Sequence, residues 1–73
     1  MIAEEALSRF EDALARLPVR ARETFLAVDI GGASIDEVAD ASGVSRKAIE
    51  MRLARARRKL RAAITDDDEQ TRT

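Results

Sequence analysis

The chain lacks cysteine and histidine, and its only aromatic residues are two phenylalanines. Without thiols and imidazoles it cannot form disulfide bonds, and it lacks the common metal ligands and the usual pairs of nucleophile and base. Without tryptophan and tyrosine it lacks the stacking platforms typical of proteins that bind single-stranded nucleic acids. We therefore expect a binding protein with no cofactor, no bound metal and no catalytic activity.

Long apolar runs are missing as well. No segment approaches the roughly 20 apolar residues that span a bilayer, and the early acids Glu4 and Glu5 are atypical of a signal peptide. The chain of 73 residues makes one small domain with little room for a substrate cleft, so an enzyme based on carboxylates alone is a remote alternative. We expect a cytoplasmic protein with no membrane partner.

The chain does have a strongly uneven distribution of charge. Residues 45–61 carry eight of the 13 basic side chains and a single acid, Glu50. Residues 1–44 carry four bases and nine acids, and residues 62–73 carry one base and four acids. The overall net charge of −1 therefore conceals a concentrated basic segment, which is typical of a protein that binds a polyanion such as nucleic acid.

The spacing of apolar residues predicts two helices in the first half of the chain. The first runs from about residue 3 to residue 16, and Pro18 separates it from a second that closes near Ile30. Gly31 and Gly32 follow, and glycine tolerates the left-handed backbone that ends many helices. The residues expected to be buried on these two helices are Ala3, Leu7, Phe10, Leu14, Leu17, Ala21, Phe25 and Val28.

Two further helices are predicted around Gly43. Ser34 and Glu37 have the spacing of a capping box, which starts a short third helix that ends at Gly43. Ser45 then caps a long fourth helix. Its buried seam is expected to contain Ile49, Leu53, Ala56, Leu60 and Ala63 or Ile64. A short helix, a glycine turn and a longer helix form a helix-turn-helix, whose second helix enters the major groove of DNA.

These patterns predict an all-α fold of four helices with no strands. The domain is expected to cover residues 1–64. Residues 65–73 include no apolar side chain and are predicted to be a disordered acidic tail. On a helical wheel, the outward face of the fourth helix contains Lys47, Met51, Ala54, Arg55 and Arg58. A solvated helix face usually mixes both signs of charge, whereas this one offers only Glu50 as an acid.

Four segments of the chain resemble region 4 of bacterial sigma factors, especially those of the extracytoplasmic-function group. They are residues 17–26 (LPVRARETFL), 32–39 (GASIDEVA), 43–45 (GVS) and 52–61 (RLARARRKLR), and the resemblance extends over about residues 4–64. It implies a helix-turn-helix domain that reads the −35 promoter element as duplex DNA and contacts the β flap of RNA polymerase. An anti-sigma factor is a further candidate partner.

The same resemblance implies that the domain that melts and reads the −10 element lies outside these residues. We therefore expect that this chain alone does not initiate transcription. The sequence leaves open whether the chain is a fragment of a longer sigma factor or a stand-alone relative.

Matched position by position, the resemblance assigns DNA contacts to the start of the fourth helix. These residues are Arg46, Lys47, Glu50, Met51, Arg52 and Arg55, and we add Arg58 as a phosphate contact. Three positions depart from the common pattern of the family. Glu50 stands where a basic residue is common, Met51 where serine is common, and Ser42 where a larger apolar residue is usual.

Two interpretations of Glu50 remain open from the sequence. Its carboxylate can accept a hydrogen bond from the amino group of a cytosine, or it can pair with Arg46 or Arg57 and contact no base. Met51 can similarly contact a thymine methyl group or simply be an exposed methionine at a protein interface.

Two other functions fit the same residues. A LuxR-type regulator has the same order of helices, but it is expected to bind paired half-sites as a dimer. A sigma mimic would bind an anti-sigma factor or RNA polymerase without contacting DNA, and Glu50 and the acidic tail favour this alternative.

Overall fold

The computed structural model describes the backbone of residues 2–72 and the side chains of residues 4–65. Over residues 2–72 the chain forms helices and no strand. These elements are α1 (Ile2–Arg16), α2 (Val19–Phe25), a π-helical turn (Leu26–Ile30), α3 (Ile35–Ser42) and α4 (Arg46–Arg72). The predicted all-α fold with a helix-turn-helix is confirmed. None of the helices in this range is long and apolar enough to cross a membrane.

The predicted helix starts are confirmed at α2, α3 and α4. Pro18 precedes α2 with extended backbone. At α3 the Glu37 amide donates to Ser34 Oγ at 3.0 Å, and the Ser34 amide donates to Glu37 Oε1 at 2.8 Å. At α4 the Ala48 amide donates to Ser45 Oγ at 3.1 Å. These side chains satisfy amide groups that have no partner inside the first turn of a helix.

The second helix ends where predicted, but its last turn is wider than expected. The Gly31 amide donates to the Leu26 carbonyl at 2.8 Å, five residues back, which defines a π-helical turn. One turn earlier, the buried Thr24 hydroxyl donates to the Arg20 carbonyl at 2.8 Å. Such a side-chain bond competes with the regular backbone pattern and often bends a helix.

The fourth helix ends later than predicted. The sequence indicated an end near residue 64, whereas α4 continues to Arg72. This corrects the prediction of a tail without regular structure for residues 65–72, and residue 73 lies outside the described residues. A helix needs apolar spacing to pack but not to form its own hydrogen bonds, and residues 61–72 contain no glycine or proline to stop it. The division into a domain over residues 1–64 and a tail stays a prediction.

Two apolar clusters lie along α4. One cluster joins its later turns to α1 and α2, and the other joins its first turns to α3 and to Val28 of the π-helical turn. The first contains Leu17, Phe25, Ala56 and Leu60, with Phe10, Ala13, Leu14 and Ala21 packed against it. The second contains Ala39, Ile49 and Leu53, with Val28, Ile35, Val38 and Val44 packed against it. The single helix α4 therefore holds the two parts of the fold together.

The predicted seam of α4 is confirmed from Ile49 to Leu60, whose side chains are at most 3% exposed at the four positions of the seam. One predicted core position is wrong, since Leu7 is 57% exposed. Of the two alternatives at the end of the seam, Ala63 is half-buried, whereas Ile64 is 40% exposed. Leu7 and Ile64 lie beyond the part of the α1–α4 contact that Phe10, Leu14 and Leu60 form. The regular spacing of apolar residues continues along α1 and α4 beyond the region where these two helices pack against each other.

Candidate nucleic-acid interface

The turn between α3 and α4 fixes the direction of the candidate recognition helix. Gly43 has a left-handed backbone with φ 69°, where a Cβ atom would be strained. The Val44 amide donates to the Ala39 carbonyl at 3.2 Å, and the Gly43 amide donates to the Asp40 carbonyl at 3.3 Å. This pair of bonds is a Schellman motif. Ala39 is small enough for α3 to approach the buried Ile49 of α4.

The outward face of α4 carries the basic residues that the sequence predicted to be exposed. Lys47, Arg55 and Arg58 are exposed, and Met51 between them is 47% exposed. Because these positions are four, four and three residues apart, they form one stripe along the helix. The stripe begins next to the glycine turn, so its basic groups project from the part of α4 that a helix-turn-helix presents to DNA.

Arg46, the first residue of α4, is bound to two acids from different helices. Its Nη1 donates to Asp36 Oδ1 at 2.7 Å, and its Nε donates to Glu50 Oε2 at 3.1 Å. The hydrogen bond to Asp36, followed by the one to Glu50, raises the pKa of the Arg46 guanidinium. Of the two partners suggested for Glu50 within the chain, the structure shows Arg46. We call these three residues the Arg46 triad.

Arg57 has a different acidic partner. Its Nη2 and Nε donate to Asp29 Oδ1 and Oδ2 at 2.6 and 2.8 Å, so the guanidinium and carboxylate meet side by side. These hydrogen bonds lower the pKa of Asp29 below its ordinary value of 3.8 and outweigh the opposite effect of burial. The pair attaches the π-helical turn to α4. Arg57 is therefore not a partner of Glu50.

Arg52 differs from the other predicted contact residues because its side chain is half-buried. It lines a groove between α2 and α3 with Arg20, Glu23 and Glu37. It also lines a second groove, between α2 and α4, with Arg20, Arg55 and Lys59. Arg52 thus lies beside the outward stripe of α4 rather than within it.

The structure adds Asp36 and Asp29, which bind arginines of α4 from other elements of the fold. Asp36 lies in the first turn of α3, where an acid complements the helix dipole, and its contact with Arg46 is visible only in the structure. Ten residues separate it from Arg46, and 28 separate Asp29 from Arg57. Only the Arg46–Glu50 pair had a sequence signal, namely its spacing of four residues along one helix. Among the described residues, no group of three or more acids could hold a metal ion.

Comparison with known proteins agrees with this geometry. The family model for sigma-70, region 4, matches residues 7–60, which include α2, the helix-turn-helix and the buried seam of α4. A search of curated proteins and a search of solved structures gave no match. The family match covers well over half of the chain and includes all the elements that shape the basic stripe. The chain therefore belongs to the sigma-70 region 4 family, whose non-enzymatic domains bind promoter DNA in transcription initiation and interact with RNA polymerase.

Proposed function

We propose that this chain reads the −35 promoter element as duplex DNA, as region 4 of a sigma factor of the extracytoplasmic-function group. The observation that carries the proposal is the basic stripe on α4. In the described part of the chain, the side chains of Lys47, Arg55 and Arg58 form no hydrogen bond or ion pair. Basic groups with no acidic partner are available to replace the counterions of DNA phosphates.

The order of residues along α4 suggests different roles for them. Lys47 and Met51 lie in the first turns, which a helix-turn-helix places nearest to the base edges. Arg58 is 11 residues from Lys47, a distance of about 16 Å along the helix. A side chain that far from the turn is suited to a phosphate, whereas Lys47 and Arg55 are suited to bases. Arg52, half-buried beside the stripe, is suited to a phosphate at its edge.

A contact with RNA polymerase, including the β flap, is part of the same proposal. Val19, Leu26 and Ile30 are 56%, 39% and 67% exposed on α2 and the π-helical turn. Large apolar side chains that cluster on one exposed segment are typical of surfaces that bind another protein. Their position on a segment other than the stripe supports simultaneous contact with DNA and polymerase. An anti-sigma factor remains a candidate partner of the same domain.

The proposal is tested by binding of the purified chain to −35 duplexes over a range of salt concentrations. Arg58→Ala should weaken binding to all duplexes alike and reduce the magnitude of the salt slope by about one. Lys47→Ala and Arg55→Ala should also reduce the preference for one base sequence. Arg57→Ala is the matched control. Arg57 is next to Arg58 in the sequence, but its guanidinium is already bound to Asp29, so its loss should change the salt slope less.

If no duplex binds above the non-specific affinity even at low salt, the proposal is wrong. The protein-interaction alternative would then be favoured, and the acids of the Arg46 triad are the structural feature that supports it. Light scattering with a palindromic duplex separates the proposal from the LuxR-type alternative. One chain bound to one half-site is the result expected here, and a dimer across two half-sites would contradict it.

A further inference from the structure

The ion pairs of the Arg46 triad are not explained by a contribution to the stability of the fold or of α4. The side chains of Arg46, Asp36 and Glu50 are 57%, 72% and 46% exposed, and ion pairs in water contribute little to folding. A cation in the first turn of a helix opposes the helix dipole. Within α4 the base also precedes the acid, which is the weaker of the two orders for a pair four residues apart. The arrangement therefore calls for a different explanation.

The triad leaves part of the Arg46 guanidinium available for a ligand. An arginine side chain has five N–H donors. Two of them bind Asp36 and Glu50, and the remaining three, including both on Nη2, have no partner in the described part of the chain. Two donors at the end of a guanidinium match the O6 and N7 acceptors of guanine, which is the commonest specific contact in the major groove.

The two acids also restrict what Arg46 can do. A free arginine side chain loses considerable rotamer freedom when it binds, and a side chain already held in place loses less. The triad has one base and two acids, so its local charge is negative and a DNA phosphate is repelled from it. Arg46 is thus held away from non-specific phosphate contacts, while its free donors still match a neutral base edge.

We propose that Asp36 and Glu50 are positioning residues that hold Arg46 to read a guanine, so that neither acid contacts a base itself. This inference rests on the proposed function, since it requires that the start of α4 faces base edges. It gives Glu50 a role that differs from direct contact with a cytosine. It also assigns a function in DNA recognition to Asp36, a residue of α3 rather than of the recognition helix.

The test uses a set of −35 duplexes in which each base pair is replaced in turn. For each protein variant, the ratio of affinities between the best duplex and each substituted duplex is measured at one salt concentration. Arg46→Ala should lower this ratio at one guanine by roughly 5- to 150-fold, the range expected for a lost bidentate contact. Asp36→Asn and Glu50→Gln should lower the ratio at the same guanine, each by up to about fivefold.

Asp40→Asn is the matched control. Asp40 lies one turn after Asp36 on α3, is exposed, and its carboxylate has no partner among the described residues. Removing an acid strengthens binding to every duplex by reducing repulsion of phosphates, but the control should leave the affinity ratios unchanged. A positioning role also predicts that Asp36→Asn has no further effect on the ratio when Arg46 is already alanine.

Three results would overturn the inference. The first is that Asp36→Asn and Glu50→Gln leave the affinity ratio at the guanine unchanged. The second is that Arg46→Ala leaves the affinity ratio at every base pair unchanged. The third is that Glu50→Gln changes the affinity ratio at a different base pair. In the last case Glu50 reads a base itself. In each of these cases the unmodified protein still prefers one −35 sequence, so the proposed function stands. If the unmodified protein shows no preference, the proposed function and this inference are both wrong.

Discussion

The two halves of the molecule are built alike but differ in how their ion pairs are arranged. The hairpin half consists of α1, α2, the π-helical turn and residues 54–65 of α4. The turn half consists of α3 and residues 46–53. Each half has one buried apolar cluster and one arginine of α4 bound to an acid of another element. The apolar clusters hold α4 in place in both halves. The halves differ in the role of the ion pair that each contains.

The difference lies in geometry and exposure. Arg57 and Asp29 meet through two parallel hydrogen bonds, and the side chain of Asp29 is only 24% exposed. Arg46 meets Asp36 through one hydrogen bond, and Asp36 is 72% exposed. A bidentate, partly shielded pair stabilises a fold more than an exposed single bond does. The hairpin half thus uses its ion pair for stability, and the turn half keeps its pair at the candidate DNA surface.

The largest expected effect comes from breaking either apolar cluster. Leu53→Ala in the turn half and Leu60→Ala in the hairpin half should each lower the free energy of unfolding by about 2–5 kcal/mol, because each leaves a cavity. Both side chains are at most 3% exposed. Urea denaturation followed by circular dichroism measures the loss. Ile64→Ala is the control, since this side chain is 40% exposed and its loss should cost less.

The same variants test whether the halves unfold together. Because α4 belongs to both clusters, we expect one cooperative transition and loss of amide hydrogen-exchange protection in both halves. If Leu53→Ala removes protection from α3 alone while α1 and α2 keep theirs, the halves are independent units.

A smaller effect is expected from strain at the two left-handed glycines. Gly43 has φ 69° and Gly32 has φ 81°, and neither has an atom within 4 Å of the position of an added Cβ. Gly43→Ala and Gly32→Ala should therefore each cost about 1–2 kcal/mol of folding free energy from the backbone alone. Thermal unfolding of the two variants measures whether they lose the same amount of folding free energy. Only Gly43→Ala should also weaken binding to −35 duplexes beyond the effect on stability, because only Gly43 sets the angle between α3 and α4.

Removing the bidentate pair should cost less again. Asp29→Asn and Arg57→Ala should each lower the free energy of unfolding at neutral pH by about 1 kcal/mol. The pKa of Asp29 is lowered in the folded protein, so its contribution is fully present above the ordinary aspartate pKa and is lost as the pH falls through the lowered pKa of the folded state. Urea denaturation over a series of pH values from 7 downward should show a difference between the unmodified protein and Asp29→Asn that is largest at pH 7 and shrinks in acid.

Two comparisons sharpen that result. Asp36→Asn should change stability less than Asp29→Asn does, since Asp36 is far more exposed. Arg58→Ala, next to Arg57 and without an ion pair among the described residues, should leave stability nearly unchanged. Equal losses from Asp29→Asn and Asp36→Asn would contradict the distinction between the two halves.

The smallest effect on stability is expected at the end of the chain. Deletion of residues 66–73 removes no apolar side chain, four acids and one base. The free energy of unfolding should change by no more than about 0.5 kcal/mol, as is usual for surface changes. Affinity for DNA should rise because the deletion removes net negative charge. A larger loss of stability would show that the domain extends beyond residue 64.

Much of the fold could be predicted because its signals are local. Ser34 and Glu37, or Gly43 and Ser45, act within a few residues of each other, so their roles are visible in the sequence. The buried seam of α4 follows from spacing along a single helix. The exposure of Leu7 and the π-helical turn were not predictable in this way. They depend on where the partner helix ends and on competition between nearly equal hydrogen-bond patterns.

The sequence by itself determined the helix-turn-helix, the seam that buries one side of α4 and the basic stripe on the opposite side. Periodicity, capping and charge are properties of neighbouring residues, and they suffice for these features. Only the tertiary structure decided which arginines are available to a ligand. The sequence gives no sign that Arg46 or Arg57 has an acidic partner on another element, but the packing of α3 and of the π-helical turn brings Asp36 to one and Asp29 to the other. Contacts between residues far apart in sequence depend on how the helices pack, and local patterns carry no record of that packing.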